Sequence, residues 1–291
     1  MRTNTLWVSA MISGFSFFFI LGLNAQNLKV ISYNIWEGMK MDTTEGKVKF
    51  SEWIKSQDPD VLALQEVNYF TQSKLENIAR SYGHPYAVLL KETGYPVAIT
   101  SKFPIVNVEK VLDNMHHGFI KAEIEGVSYM VVHLSPHKYW KRREEVKTIL
   151  STIDHNPTKE DWVILGDFNS LSPGNEAFYK TSGLVERMKE SAARYSSHEN
   201  LEDGKLDYEV IRQVEENGYV DIVGHSMENV DFSFPTKSIL KDGDKASLRR
   251  IDYIFLSPGL ENSVTNARII KDDFTDMYSD HYPVMVELKV N

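Results

Sequence analysis

The chain contains no cysteine among its 291 residues. This absence excludes disulfide bonds, thiolate metal sites and a lipid-attachment cysteine. The folded chain must therefore depend on a hydrophobic core, and roughly 265 residues are enough to build one. Proline is sparse and dispersed, and no short repeat or low-complexity tract is visible after residue 26. We therefore predict one domain over residues 26–291.

Positive charge is also scarce, with 32 lysines and arginines against 41 aspartates and glutamates, for a formal net charge of −9. Proteins that hold long nucleic acids usually carry a basic surface. Nucleic acid is therefore a possible but not a favoured partner, because a divalent metal can supply positive charge locally. In the basic run Lys138–Arg143, we expect Arg143 to meet a substrate phosphate, although a solvated helix start explains the run equally well.

Several catalytic signatures are absent from the sequence. There is no phosphate-binding G-x-x-x-x-G-K-[ST] loop, no dinucleotide-binding G-x-G-x-x-G and no zinc-binding H-E-x-x-H. There is also no G-x-S-x-G nucleophile elbow. These absences argue against the enzyme classes that depend on such motifs.

The long apolar run of the chain lies at its N-terminus, from Leu6 to Leu23, after the positive charge of Arg2. Serines and glycines interrupt the run, and Ala25 offers a small residue just before a cleavage point. This pattern predicts a signal peptide over residues 1–25 and export to the periplasm or the exterior. An uncleaved anchor is the alternative, because the run approaches membrane-spanning length. We expect no stable membrane anchor.

After residue 26 the sequence alternates between strand and helix patterns. Helical spacing of apolar residues predicts helices over 44–56, 71–82 and 140–153. The segments that read as strands are 28–35, 61–64, 85–90, 96–100, 105–111, 119–124, 128–134, 161–165, 230–234, 251–256, 264–270 and 284–290. Hairpins together with crossovers predict an α/β (α+β) fold in which helices cover mixed sheets. The polar segment 182–217 has no clear pattern.

Polar and charged side chains interrupt or directly follow several of these apolar runs. They are Asn34, Glu66, His133, Asp167, Asn169, Asp252, Asp280 and His281. Taken singly, each has an ordinary explanation as a turn residue, a solvent-facing side chain or a satisfied core histidine. Burying a carboxylate is costly, however, unless a metal or a partner compensates it. Ligand sites in layered α/β folds gather at strand ends, so the set predicts one metal-dependent hydrolytic site.

Six short sequence strings occur along the chain in this order: SYNIW, LQEV, VVHL, GDFN, RIDYIF and SDHYPV. From about Leu28 to Val290 the chain resembles the endonuclease/exonuclease/phosphatase superfamily. The resemblance implies a four-layer α/β sandwich, with two mixed β-sheets packed face to face and helices outside. It also implies Mg²⁺ or Mn²⁺ as cofactor and hydrolysis of a phosphoester.

The same resemblance implies roles for individual residues. Glu66 would be the principal metal ligand, with Asn34 and Asp280 beside it. Oxygen ligands of this kind suit a hard divalent cation. Asp167 would orient or deprotonate the attacking water, and Asn169 would hold the phosphate or the metal shell.

Two histidines and a loop complete the implied site. His281, steered by Asp252, would act either as a general base or as a charged donor to the transition state, since superfamily members differ on this point. His133 matches a histidine that contacts the scissile phosphate or protonates the leaving group. His117 stands where several relatives have a basic residue. We predict that His117 touches the substrate, although a solvated loop histidine is an equal alternative.

The sequence therefore predicts an exported, divalent-metal-dependent phosphoesterase acting on a small or lipid-borne substrate. An extracellular or periplasmic nuclease is the alternative. A secreted binding module on the same scaffold is a second alternative, but none of the matched catalytic positions is lost. The segment 190–217 reads as a local insertion that could decide the substrate. Diesterase or monoesterase activity, the number of metals and the oligomeric state are left open.

Overall fold

The computed structural model describes residues 26–154 and 161–290. The predicted signal peptide, residues 1–25, lies outside the described residues. Within the described part of the chain, no helix combines the length and the apolar character that crossing a membrane requires.

Fourteen strands, ten α-helices and three short 3₁₀ helices follow each other along the described chain. The strands are β1 (Gln26–Asn34), β2 (Val61–Gln65), β3 (Tyr86–Leu89), β4 (Ala98–Ser101), β5 (Val106–Val111), β6 (Phe119–Ile124), β7 (Val127–His133), β8 (Trp162–Asp167), β9 (Leu201–Glu202), β10 (Lys205–Leu206), β11 (Val220–Asp221), β12 (Asp252–Leu256), β13 (Val264–Ile269) and β14 (Val284–Val290). The helices are α1 (Trp36–Met39), α2 (Val48–Gln57), α3 (Gln72–Ser81), α4 (Tyr139–Asp154), α5 (Glu176–Ser182), α6 (Leu184–Arg194), α7 (Glu209–Glu216), α8 (Ile222–His225), α9 (Pro258–Glu261) and α10 (Thr275–Tyr278). The backbone of α1 is left-handed.

Two six-stranded sheets form the centre of the fold. The first has the strand order β13-β14-β1-β2-β4-β3, and the second has the order β11-β12-β8-β7-β6-β5. Each sheet is mixed, because β1 pairs parallel with β2 and β7 pairs parallel with β8, whereas the other neighbours are antiparallel. The strands β9 and β10 form a separate small hairpin.

Residue alternation along the strands divides the core into layers. In β2, Val61 and Ala63 lie in the core between the sheets, and Leu62 and Leu64 face the opposite side. This period of two is the geometry of a strand with both faces covered. Helices α2 and α3 cover the outer face of the first sheet, and α4 and α7 cover the second. The predicted four-layer sandwich is thus confirmed.

Two segments differ from the sequence prediction. Residues 230–234 do not form a strand, because only Phe234 makes a bridge, to Arg249, and Pro235 offers no N–H for further pairing. Segment 182–217, which had no assignment, contains α6, α7 and the β9–β10 hairpin. Helix α7 had a detectable signal, since Val210, Ile211 and Val214 are spaced to bury one helical face.

Candidate active site

Three of the predicted site residues lie side by side across the second sheet. In the strand register, Asp167 at the end of β8 is opposite His133 on β7 and Asp252 on β12. Nε2 of His133 lies 3.6 Å from Oδ2 of Asp167. Motifs far apart in the sequence therefore meet because their strands are neighbours.

The glycine of the GDFN string fits this crowded strand end. Gly166 has a φ of +142°, and a Cβ atom there would lie 2.0 Å from the carbonyl oxygen of Val132. Any side chain would push β8 away from β7. After the glycine, Asn169 takes a positive φ of 48°, donates its backbone N–H to Asp167 Oδ1 at 2.8 Å and donates its side-chain amide to Leu134. Asn169 is thus held at the edge of the site.

The first sheet contributes from the facing side. Asn34 ends β1 and Glu66 directly follows β2, and the two strands are parallel, so their carboxyl ends share an edge. The buried Asn34 side-chain amide donates to Glu66 Oε1 at 3.2 Å and to Asp167 Oδ2 at 3.1 Å. Asn34 therefore joins carboxylates from the two sheets. That it also binds the metal stays a prediction.

A buried Asp–His pair stands next to Asp167. Nδ1 of His281 lies 2.8 Å from Asp252 Oδ2, and its Nε2 lies 3.8 Å from Asp167 Oδ2. Burial alone would lower the pKa of His281, but Asp252 and Asp167 raise that pKa to about 10. Burial, with Asp252 adding to it, raises the pKa of Asp167 to about 7. The imidazole is therefore positively charged at neutral pH.

Two further carboxylates, Glu66 and Asp280, complete an acidic side of the site. Burial raises the pKa of both groups, and Asp280 raises that of Glu66 further. A bound cation would stabilise the charged forms of these desolvated carboxylates. The donor set is oxygen-rich, which fits Mg²⁺ or Mn²⁺. A second possible ligand group, with atoms within 4.8 Å of one another, is Asp167, Asp252 and His281.

These groups open into one cleft of about 340 Å³. Its lining residues are Trp36, Glu37, Glu66, Tyr95, His116, His117, His133, Pro136, His137, Asp167, Asn169, Asp280 and His281. Four carboxylates and five histidines are among them, but no lysine or arginine of the described residues is. Among the lining residues, positive charge therefore comes from His281; at the rim, Nζ of Lys40 lies 3.2 Å from Glu37 Oε2 and 3.6 Å from the ring centroid of Trp36.

One wall of the cleft is a group of imidazole and aromatic rings. The rings of His117 and His133 stack with centroids 4.2 Å apart, and Tyr95 and His116 pack against His117. Burial lowers the pKa of His117 to about 3 and holds that of His133 well below its ordinary value. Nε2 of His117 and Nδ1 of His133 are buried, and neither bonds to another described residue. The wall is neutral and has unused hydrogen-bonding capacity.

The structure does not bring Arg143 to this cleft. Its guanidinium donates to both carboxylate oxygens of Glu202 and to Asp207 Oδ1, at distances from 2.5 to 3.1 Å. The predicted contact between Arg143 and a substrate phosphate is therefore replaced by ion pairs with the β9–β10 region. No structure could be assigned to that region from local patterns, so these partners could not be anticipated.

Six lining residues were not among the predicted site residues: Trp36, Glu37, Tyr95, His116, Pro136 and His137. Trp36 and Glu37 lie two and three residues after Asn34, so their place after a strand end was a usable signal. His137 had none, because its position depends on a ring stack with His198, at 4.3 Å between centroids, from the unassigned segment.

Comparisons with solved structures reveal similar folds. A 3′ phosphatase, NExo, from Neisseria, bound to a product DNA hairpin, matches with a TM-score of 0.66 and 18% identity over 90% of this chain and 100% of that chain. An AP endonuclease from Archaeoglobus fulgidus matches with a TM-score of 0.63 and 20% identity, with the same coverage. A 3′-5′ exonuclease from Neisseria meningitidis matches with a TM-score of 0.65 and 19% identity, over 90% of this chain and 100% of that chain. At these identities the likeness concerns the fold.

A search of curated proteins finds no significant match. The model of the endonuclease/exonuclease/phosphatase family matches residues 31–281, which include the second six-stranded sheet, most of the first sheet and every residue of the cleft. The chain belongs to the endonuclease/exonuclease/phosphatase family.

Proposed function

We propose that this protein is an exported, divalent-metal-dependent phosphoesterase that hydrolyses a small or lipid-borne phosphoester. The observation that carries the proposal is the meeting, in one cleft, of Glu66, Asp280, Asp167 and His281, with Asp252 bonded to His281 behind the cleft lining. Family membership supports the reaction class. Export rests on the sequence of residues 1–25.

Glu66 and Asp280 would hold Mg²⁺ or Mn²⁺, because both are desolvated carboxylates on the lining of the cleft, and a cation would stabilise their charged forms. The bound ion would act as a Lewis acid on the phosphoryl oxygens, which is worth several kcal/mol to such reactions. Asn34 would keep Glu66 and Asp167 at a fixed separation through its two amide hydrogen bonds.

Asp167 would orient the attacking water and accept its proton. Its pKa of about 7 suits a proton acceptor at neutral pH. His281 carries its proton already, so we assign it the role of a charged donor to a phosphoryl oxygen, and Asp252 keeps it charged and oriented. The neutral His133 and the amide of Asn169 would contact the phosphoryl group from the remaining sides.

The cleft lining favours a substrate with an isolated phosphoester group. Proteins that follow a nucleic-acid backbone neutralise successive phosphates with lysine and arginine. The described lining has neither residue, and it presents neutral rings beside the acidic groups. A small or lipid-borne alcohol would pack against such rings, whereas a second phosphate would find no lysine or arginine among the described lining residues, and Lys40 at the rim is paired with Glu37.

A nuclease is the second candidate, because the similar structures include a 3′ phosphatase bound to DNA and an AP endonuclease. The test compares plasmid nicking with hydrolysis of phospholipid head groups, sugar phosphates and bis-p-nitrophenyl phosphate, each with EDTA, Mg²⁺ or Mn²⁺ at matched ionic strength. We expect metal-dependent hydrolysis that is fastest on a small or lipid substrate. Activity unchanged by EDTA would refute the mechanism. Plasmid cleavage faster than every small substrate, falling steeply with salt, would restore the nuclease.

A further inference from the structure

The segment that begins two residues after Asn34 has an unusual backbone. Four successive residues, Trp36, Glu37, Gly38 and Met39, have positive φ angles of 48°, 48°, 71° and 62°. Side chains of L-amino acids disfavour this region, and runs of such residues are rare because each one adds to the cost. We name Trp36–Met39 the left-handed turn. Its conformation must be imposed by contacts with its surroundings.

Those contacts lead to the acidic side of the site. The backbone N–H of Trp36 donates to Asn34 Oδ1 at 3.1 Å, and the N–H of Glu37 donates to Glu66 Oε2 at 2.9 Å. The N–H of Gly38 donates to the carbonyl oxygen of Glu66 at 2.7 Å. Three successive backbone N–H groups therefore donate hydrogen bonds to two residues of the candidate metal site.

The hydrogen bonds leave Glu66 and Asn34 little freedom. Glu66 Oε2 is held by the amide of Glu37, and its Oε1 is held by the amide group of Asn34. Because Asn34 Oδ1 accepts from Trp36, its NH₂ group must face the carboxylates of Glu66 and Asp167. The turn thus fixes the direction of an amide that touches both sheets.

Glycine is required at one position of the turn. A Cβ atom on Gly38 would lie 2.1 Å from the carbonyl oxygen of Asn68, in addition to the strain of a φ of +71°. The backbone of the turn therefore packs directly on the segment that follows Glu66. A side chain at position 38 would separate the turn from Glu66 and break the contacts described above.

We propose that the left-handed turn is a positioning device that presets Glu66 for a divalent cation, directly through the Glu37 amide and indirectly by orienting Asn34, an inference that rests on the proposed metal site. Hydrogen bonds that orient metal ligands from outside typically change metal affinity about 10- to 100-fold when they are lost. The turn acts through Glu66 and Asn34, so its effect is on how tightly the cation is held.

The first test compares Gly38→Ala with Gly46→Ala. Gly46 also has a positive φ, of +69°, but no atom lies within 4 Å of the Cβ it would gain, so it controls for backbone strain alone. Mn²⁺ binding is measured by calorimetry, and turnover of bis-p-nitrophenyl phosphate is measured as a function of Mn²⁺. We expect Gly38→Ala to bind Mn²⁺ about 10- to 100-fold more weakly and to recover turnover at high Mn²⁺. Gly46→Ala should bind as the wild type does.

A second test covers the case in which Gly38→Ala fails to fold. An α-hydroxy acid incorporated at position 37 replaces the amide N–H by an ester oxygen, and the α-amino acid with the same side chain is its control. Only the ester should lose Mn²⁺ affinity, because the donor to Glu66 Oε2 is missing. Unchanged affinity in folded Gly38→Ala, or in the ester, would overturn the positioning role. A wild type that binds no Mn²⁺ would instead refute the metal site itself, and with it both proposals.

Discussion

Oδ2 of Asp252 lies 2.8 Å from Nδ1 of His281, and both side chains are buried where β12 meets the segment before β14. The pair keeps a proton on the imidazole, since Asp252 and Asp167 outweigh burial and raise its pKa to about 10. His281 therefore reaches the cleft as a cation. This favours the role of a charged donor over that of a general base.

His281→Ala and Asp167→Asn should each lower kcat on an activated phosphoester by roughly a hundredfold or more, because each removes a placed proton donor or acceptor. Circular dichroism checks that the variants are folded. His225→Ala is the matched control, since His225 lies outside the cleft lining and should keep normal turnover. Near-normal kcat in either active-site variant would mean that the catalytic centre lies elsewhere. Asp252→Asn should cost less turnover, because it acts through His281.

Glu66→Gln should raise the Mn²⁺ concentration for half-maximal activity by at least about tenfold, because one charged oxygen ligand is lost while the shape is kept. Activity titrated against Mn²⁺ measures the shift. Glu52→Gln, at an exposed position of α2, is the matched control and should titrate like the wild type. An unchanged titration of Glu66→Gln would remove Glu66 from the metal site.

His117→Phe should raise KM and also stabilise the free protein. The phenyl ring keeps the stack on His133, while the buried Nε2, which has no partner among the described residues, disappears. Removing an unsatisfied buried polar atom is worth about 1 kcal/mol in the free energy of unfolding. Urea denaturation and steady-state kinetics test the two effects, with His117→Ala as the variant that loses the ring as well. A destabilised His117→Phe would show that Nε2 has a partner in solution.

A structural histidine makes stability depend on pH. His84 is fully buried, lies 2.8 Å from both Thr100 Oγ1 and the Pro59 carbonyl oxygen, and has its pKa lowered by burial below the ordinary 6.5. A depressed histidine pKa contributes stability that is complete above 6.5 and is lost as pH falls toward the folded-state value. Between pH 7.5 and pH 5, the wild type should lose more free energy of unfolding than His84→Gln. Equal losses in urea denaturation would contradict this assignment.

Much of the candidate site could be predicted because charged side chains are rarely buried unless a partner or a metal compensates them. Asn34, Glu66 and Asp280 were visible as polar residues at the ends of apolar runs, and the structure brings all three to one edge. Asp167 and Asp252 were visible in the same way. Which of these residues touch depends on strand order and register, which no single segment encodes. The fold class, in contrast, follows from local patterns summed over the chain.

The partners of Arg143 and the left-handed turn were not predicted, and both depend on long-range contacts. Arg143 carries a strong local signal, but its partners Glu202 and Asp207 lie in a segment with no periodic pattern. The left-handed turn is invisible in sequence, because Trp36 and Glu37 favour ordinary φ angles and are held otherwise only by contacts with Glu66 and Asn34. Long-range contacts overrule local preference at both places.

Asn34 hydrogen-bonds to carboxylates from both sheets, so the geometry of the site depends on how the two sheets pack against each other. Its two hydrogen bonds tolerate only a few tenths of an ångström before one of them weakens. A small core substitution that shifted one sheet relative to the other would therefore alter the geometry of the proposed catalytic groups before it unfolded the protein. The layer of aliphatic side chains between the sheets, remote from any substrate, therefore helps to set the relative positions of the proposed catalytic groups.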